Sequence, residues 1–292
     1  IKKNYIISPE GTANPYYFEL GWKQLSNNNQ QIELPNLQTQ WQSSSSELTP
    51  NNPVSLYWKN KQNINFKIQI NIDENYLFDI KQSIENNSSS SVELFPYRLV
   101  KRINLPKTIN FFILHEGLIS LNDEKLLEKK YKDLLDDCSS NSNQKKLFCD
   151  QKSIGGWLGF TDKYWMATLI PDQNEPININ FRHGNNGRDN FRVGYVGQVF
   201  NIQANESHSY NGKLFAGAKN LNILNEYKND GLPKFTDAID WGWFSFLTKP
   251  ISYSINWFFG YVKNFGLAII AFTILMRLIL FPLAHASFKS MA

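Results

Sequence analysis

The feature that most constrains this sequence is an apolar stretch near its end, from Phe265 to Ala284 (FGLAIIAFTILMRLILFPLA). As a helix, such a stretch would span about 30 Å, the thickness of the hydrocarbon core of a bilayer. Its single charged residue is Arg277. We therefore predict a transmembrane helix over residues 264–285, and an arginine inside it is typical of a functional site because burying the charge in lipid is costly.

Composition indicates that the rest of the chain is a different kind of structure. The mean hydropathy of the whole chain is −0.40, so residues 1–235 are expected to form a domain with a polar surface. The net charge of +4 is spread along the sequence without a basic block, which argues against a nucleic-acid partner. No spacing of His and Cys suits a metal, and no catalytic fingerprint is present. We predict a protein that is not an enzyme and has no cofactor.

Alternation of apolar and polar residues predicts a β domain. In INFKIQINID, from Ile64 to Asp73, every second residue is apolar, as in a half-buried strand. The pattern returns at Phe78–Ile84, Ile177–Phe181 and Phe191–Ile202, between clusters of Asn, Gly and Ser. Many strands joined by polar turns predict a large antiparallel β-sandwich. The spacing of Leu127, Tyr131 and Leu134 predicts one surface helix, over 123–135.

The two cysteines, Cys138 and Cys149, lie close together in a polar segment. Outside the cytosol such a pair could close a short loop as a disulfide. The alternative is two free thiols, and the sequence leaves both open.

Residues 236–263 are predicted to form a linker and an amphipathic helix that opens at Pro250. Its apolar face is Ile251, Ile255, Phe258, Phe259 and Val262, and its polar face is Ser252, Asn256, Gly260 and Lys263. Aromatic side chains favour the headgroup layer of a membrane. The predicted interface residues are Tyr253, Trp257, Phe258 and Tyr261. The alternative is a helix that packs on the sandwich.

Thr273 and Arg277 are four residues apart, so they share one face of the predicted transmembrane helix. This polar patch could line a hydrated groove that interacts with polar or acidic groups of a passing chain. Alternatively, Arg277 snorkels to the headgroups near the end of the span. If the β domain lies outside the cytosol, residues 286–292 begin a cytoplasmic segment.

Two polar features of the β domain have weaker functional interpretations. Arg182, Arg188 and Arg192 flank a glycine-rich turn and could bind an anion, although an ordinary solvated hairpin is favoured. His115 and Glu116 are adjacent and would point to opposite faces of a strand, so a catalytic pair is not expected.

The C-terminal motifs closely resemble those of the YidC membrane protein insertase family. The matching segments are Asp240-Trp241-Gly242-Trp243, Lys249-Pro250, Asn264 to Ile270, Arg277 through Pro282-Leu283, and Ser287 to Met291. Upstream, Trp41 to Trp58 and Gly155-Gly156-Trp157 through Ile170-Pro171 look like segments of that family's large periplasmic domain.

The resemblance implies a periplasmic β-supersandwich similar to mutarotase-like domains, an interfacial helix and the second transmembrane helix of an insertase. Arg277 matches the arginine of the family's hydrophilic groove, and Thr273 matches a groove threonine. Other groove helices lie outside this sequence, so we expect a fragment that does not insert proteins alone. The implied location is the bacterial inner membrane, with this domain in the periplasm. The implied partners are nascent integral membrane proteins, the Sec translocon, the lipid bilayer and, through regions absent here, the ribosome.

Two other functions compete with insertion at this stage. One is a membrane-anchored carbohydrate-binding or epimerase-like β-sandwich, in which the helix is only an anchor. The other is a scaffold whose sandwich docks translocon subunits, which is compatible with insertion.

Overall fold

The computed structural model describes residues 6–25, 31–106, 108, 114–139 and 147–291. The chain divides into two compact units, Ile1–Ile239 and Asp240–Ala292. Antiparallel sheets dominate the first unit, and the second contains two helices. The predicted class, mainly β with antiparallel sheets followed by a long apolar helix, is therefore confirmed.

The strands of the first unit have the following bounds in chain order. They are β1 (Tyr16–Gln24), β2 (Gln42–Ser43), β3 (Val54–Lys59), β4 (Ile64–Ile72), β5 (Leu77–Asn86), β6 (Val92–Ile103), β7 (Gly117–Asn122), β8 (Lys125–Lys130), β9 (Asp150–Ile154), β10 (Trp157–Thr161), β11 (Trp165–Pro171), β12 (Pro176–Asn185), β13 (Asp189–Val196), β14 (Phe200–Ile202) and β15 (Glu206–Ala218). The first sheet has the order β1-β6-β13-β12-β9, with β14 also paired to β6. The second has the order β2-β3-β4-β5-β15-β11-β10-β7-β8.

The main core is built from the alternating residues that the sequence predicted. On β4, Ile64, Phe66 and Ile68 are buried, whereas the residues between them are only partly buried. They join a cluster that includes Val100 and Val193 of the first sheet. Apolar faces of both sheets thus share one core, which removes them from water.

The predicted strand over residues 191–202 is wrong in one respect, since it is two strands. β13 ends at Val196, and the Gly197 N–H donates to the Pro96 carbonyl at 3.0 Å. Only after this break does β14 begin, at Phe200. The apolar pattern continues through the break because Ile202 also points into the core, where it is buried.

The predicted helix over 123–135 is also wrong over its first half. Residues Lys125–Lys130 form strand β8, and the helix α1 covers only Tyr131–Asp137. Asp123 and Glu124 both adopt positive φ angles, 45° and 65°. Positive φ at both central residues is the geometry of a tight hairpin turn, so the chain folds back from β7 onto β8.

A second core covers the other face of the second sheet. Helix α2 (Leu221–Asn229) begins at Asn220, whose side chain accepts from the Asn222 N–H at 2.9 Å. The 3₁₀ turn Phe235–Ala238 follows it. The Phe235 ring lies 5.4 Å from that of fully buried Trp157. The sandwich unit therefore includes residues up to this turn.

A fully buried arginine links the two sheets. Arg98 of β6 donates through Nε to Gln82 Oε1 at 2.8 Å and through Nη2 to the Ile80 carbonyl at 3.0 Å. Its guanidinium also lies 5.3 Å from the Tyr210 ring centre. A charge at this depth is expensive unless it is well bonded, so the contacts identify Arg98 as a structural bridge.

Candidate functional site

The candidate site lies on the long helix α4 (Phe265–Met291) of the second unit. The sequence fixes its start because Asn264 accepts from the Leu267 N–H at 3.2 Å, as an N-cap does. Residues Phe265–Pro282 have a mean hydropathy of 2.2, and only 6% of them are buried. This combination is suited to lipid rather than to a protein core.

Thr273 and Arg277 are both exposed on this helix. They are four residues, and therefore about 6 Å, apart along its axis. The Thr273 hydroxyl donates to the Ile269 carbonyl at 2.7 Å, so its proton is satisfied within the helix and its lone pairs remain available. In the part of the chain that the structure describes, no ion pair involves Arg277. The charge is therefore presented outward without a partner carboxylate.

Helix α3 (Ser245–Val262) precedes α4. The two helices are in contact with each other, and the rings of Phe259 and Phe265 lie 5.9 Å apart. The αL residue Lys263 ends α3, with its N–H donating to the Phe259 carbonyl at 2.9 Å. Residue 264 then caps α4, so the turn between the helices is short.

Contrary to the sequence prediction, α3 does not open at Pro250. It begins five residues earlier, at Ser245, and hydrogen bonds made by residues before the proline hold its first turn. The Leu247 and Thr248 N–H groups donate to the Phe244 carbonyl at 2.8 Å, and the Thr248 hydroxyl donates to the Trp241 carbonyl at 2.7 Å. Pro250 has no N–H, so it cannot donate the helical bond to the Phe246 carbonyl, four residues earlier.

The four residues predicted for the membrane interface form an aromatic stripe along α3. Tyr253, Trp257 and Tyr261 are exposed, the last two to 59% and 71%, and Phe258 is half-buried beside Trp257 at a ring distance of 5.0 Å. On the predicted polar face, Ser252 and Asn256 are half-buried, and Gly260 and Lys263 are exposed.

The described histidines of the sandwich each have a different neighbour. His115 and Glu116 lie just before β7 rather than on a strand, and His115 Nε2 lies 2.7 Å from the Leu118 carbonyl. His183 Nε2 lies 3.0 Å from Asp189 Oδ1. The ring centre of His208 lies 3.7 Å from that of Phe200. Among the described residues, no group of three His, Cys, Asp or Glu side chains is placed to hold a metal ion.

The buried ionic groups of the sandwich are structural. Arg102 Nη1 lies 2.7 Å from Asp162 Oδ1 and 2.8 Å from the Tyr131 hydroxyl. Burial raises the pKa of Tyr131, so this hydroxyl stays protonated. The group therefore ties α1 to the sandwich.

The two cysteines are joined by a disulfide in the structure, with their Cα atoms 5.6 Å apart. Both are completely buried. The Cys138 carbonyl accepts from the His183 N–H at 2.9 Å, and the Cys149 carbonyl accepts from Arg182 Nη1 at 2.8 Å. The disulfide therefore fastens both ends of the 138–149 loop to β12.

Comparison with known proteins gives one consistent family. The family model of the YidC periplasmic domain matches residues 2–254. The chain is 39% identical over 290 residues to the membrane protein insertase YidC of Rickettsia prowazekii, covering 98% of this chain and 50% of that protein. The protein of the same name from Granulibacter bethesdensis is 37% identical, with 98% and 49% covered. The chain thus spans about half the length of these curated relatives.

Similar solved structures are remote. A putative aldose 1-epimerase from Escherichia coli K12 matches with a TM-score of 0.41 and 8% identity, covering 62% of this chain and 69% of that one. A galactose mutarotase related enzyme from Lactobacillus acidophilus matches with a TM-score of 0.41 and 9% identity, covering 61% and 71%. Scores at this level support no argument about activity.

Proposed function

Because this chain belongs to the YidC family of membrane protein insertases, we propose that it supplies the sandwich domain, the interfacial helix and one groove helix of an insertase. The membership agrees with the motifs that the tail of the sequence carries. The observation that carries the functional proposal is Arg277, an arginine on a helix otherwise suited to lipid, which forms no ion pair among the residues that the structure describes.

Arg277 is proposed to line a hydrated groove rather than face lipid. A charged side chain near the middle of a span costs roughly 2.5–3.5 kcal/mol on insertion scales. Water in a groove, or an acidic group on a passing chain, would remove that cost. The nearby hydroxyl of Thr273 adds lone pairs on the same face, and its own proton is already bonded within the helix.

The groove would lower the barrier to insertion without making or breaking a covalent bond. A client's short hydrophilic tail would be hydrated during transit, while its apolar segment leaves the groove for lipid by the hydrophobic effect. Arg277 would attract acidic residues of that tail. The curated relatives are named insertases, and we propose that this chain likewise has no enzymatic activity of its own.

The proposed clients are nascent integral membrane proteins, handled alone or with the Sec translocon. Ribosome contacts would come from regions outside this chain. The proposed location is the bacterial inner membrane with the sandwich in the periplasm, and the aromatic stripe of α3 would lie in the headgroup layer. A role of the sandwich as a docking platform for translocon subunits would be compatible with these assignments.

The test uses a chimera in which this chain replaces the matching half of the Rickettsia prowazekii relative, reconstituted in liposomes. A photo-crosslinking residue at position 273 should capture a stalled nascent membrane protein. The matched control places the same residue at Leu275, which is also exposed but lies about 200° around the helix. We expect capture at 273 to exceed capture at 275 severalfold, and to disappear when the client's apolar segment is made polar.

Substitution of Arg277 distinguishes a role in the groove from a side chain that snorkels to the headgroups. Arg277→Ala should reduce insertion of clients with acidic translocated tails more than that of clients with neutral tails, and Arg277→Lys should restore much of it. Leu278→Ala, at an exposed neighbouring position, is the control. Equal insertion of both client types by Arg277→Ala, together with stronger capture at 275 than at 273, would return Arg277 to a snorkelling role.

A further inference from the structure

Three cationic side chains stand directly opposite one another on adjacent strands of the first sheet. Lys101 of β6 pairs with Arg192 of β13, and Arg192 pairs with Arg182 of β12. Neighbouring strands are about 4.8 Å apart. Like charges directly opposite destabilise a sheet. Glu10, whose Oε1 lies 3.9 Å from Lys101 Nζ, and Asp150, which pairs with Arg182, offset part of this repulsion, and a bound anion would offset more of it.

The row lies on the outer face of the sheet. The adjacent row starts at Val100, the residue before Lys101. Val100 pairs with Val193, and Val193 pairs with Phe181. These three apolar side chains are completely buried in the core. Because successive residues of a strand point to opposite faces, the cationic row points away from the core.

Arg182 and Arg192 also line a cleft of about 580 Å³ on this face. Lys23 and Lys152 contribute two further cations to its lining, and among the described residues that line it Asp150 is the one carboxylate. The excess of positive charge is therefore local to the cleft, although the net charge of the chain is only +4. Amide side chains such as Asn180 add neutral donors.

The guanidinium of Arg182 is held in place before any ligand binds. Its Nη1 donates to the Cys149 and Phe181 carbonyls, each at 2.8 Å, and its Nη2 pairs with the Asp150 carboxylate. Since the disulfide anchors Cys149, the arginine has a fixed support. Arginine has five N–H donors, so donors remain for a ligand after these contacts.

We propose that this cleft binds a phosphate group, carried either by a soluble phosphate ester or by the headgroup of an anionic lipid. Arg182 and Arg192 would hold the phosphate oxygens, since guanidinium groups match the geometry of phosphate. Asp150 would compete with the phosphate for Arg182. A dianion fits better than a second carboxylate, because it offsets more of the repulsion along the row.

The test uses the full chain in a maltoside detergent, which carries no phosphate, in phosphate-free buffer. Isothermal titration with glycerol 3-phosphate measures the soluble source. Titration with short-chain phosphatidic acid, which has the same phosphate monoester, measures the lipid source. Binding of glycerol 3-phosphate supports a soluble ligand, and binding of the lipid alone supports a headgroup. Binding of neither overturns the proposal.

Three substitutions locate the binding. Arg192→Gln should raise the dissociation constant about tenfold, the loss of one charge-assisted hydrogen bond. Asp150→Asn removes the competing carboxylate and should lower it about threefold. Lys81→Gln, at an exposed position of β5 in the other sheet, should leave it unchanged. Equal affinity in all three variants and the unmodified chain would place the binding elsewhere and overturn the assignment. Near-UV circular dichroism checks that each variant is folded.

Discussion

Loss of the Cys138–Cys149 bond should destabilise the sandwich unit by an amount that follows from its loop. The two cysteines are 11 residues apart in sequence, and neither is exposed to solvent. Their carbonyls accept bonds from the His183 N–H and from Arg182. Opening the disulfide therefore frees the unfolded chain and also loosens the attachment of the loop to β12.

The magnitude comes mainly from the unfolded state. In the chain-entropy model, a loop of this length is worth about 3 kcal/mol at 25 °C. For a unit of this size each kcal/mol corresponds to roughly 2–4 °C in the unfolding midpoint. The expected decrease is therefore about 6–12 °C.

Thermal unfolding of the full chain in maltoside, followed by near-UV circular dichroism with and without a phosphine reductant, measures this decrease. Alkylation and mass spectrometry verify that both thiols are free in the reduced sample. The double variant Cys138→Ala/Cys149→Ala should melt lower and lose its sensitivity to the reductant. Hydrogen exchange at His183 should accelerate on reduction, whereas exchange on β4 should not.

One result would refute the reasoning directly. If the reduced and fully alkylated chain melts within about 2 °C of the oxidised chain, the disulfide does not constrain the folding unit. An unchanged exchange rate at His183 would show that the loop stays attached to β12 without the disulfide.

Three further predictions concern the sandwich. Arg98→Ala should lower the free energy of unfolding, measured with denaturant, by about 3–5 kcal/mol, because the buried carbonyl and amide oxygens lose their donor. Arg98→Met fills the space without burying a charge, so it should cost less than half as much. Burial lowers the pKa of His208 below 6.5, so protonation favours the unfolded state. Stability should therefore be full above pH 6.5 and fall as the pH drops below it, and His208→Gln should flatten this dependence in melting curves. Gly156→Ala should destabilise the unit by more than about 3 kcal/mol, since the added Cβ would lie 2.0 Å from the Leu121 carbonyl oxygen. The control is Gly187→Ala, which is also at positive φ but in open space, and it should cost about 1–2 kcal/mol.

Patterns of consecutive residues were enough to predict those elements whose surroundings are the same along their length. The alternation at Ile64 to Asp73 predicted β4 because every second residue faces the core, fully buried from Ile64 to Ile68 and half-buried at Ile70 and Ile72. The apolar run predicted α4 because lipid selects for hydrophobicity at every position. Both signals are properties of consecutive residues, so neither requires knowledge of a distant partner.

Features set by tertiary contacts escaped prediction. Leu127 fits helical spacing, yet it lies on β8 because Asp123 and Glu124 form a tight turn with positive φ angles, a conformation that Asp adopts more readily than Glu. The pairing of Lys101 with Arg192 joins residues far apart in sequence. The positions of the hairpin arginines in the sequence therefore predicted only a solvated surface, and the register of the sheet is what places Arg182 and Arg192 in one row with Lys101.

The energetics of α4 bear on why its arginine is available to a client. Within Phe265–Pro282, eleven residues are Leu, Ile or Phe. At roughly −0.3 to −0.6 kcal/mol each, their insertion is worth about 3–7 kcal/mol, compared with a cost of roughly 2.5–3.5 kcal/mol for one arginine. The helix can therefore enter a bilayer without an internal carboxylate to neutralise Arg277. A permanent ion pair would stabilise the span further, but it would also occupy the charge that the proposed groove presents to acidic residues in transit.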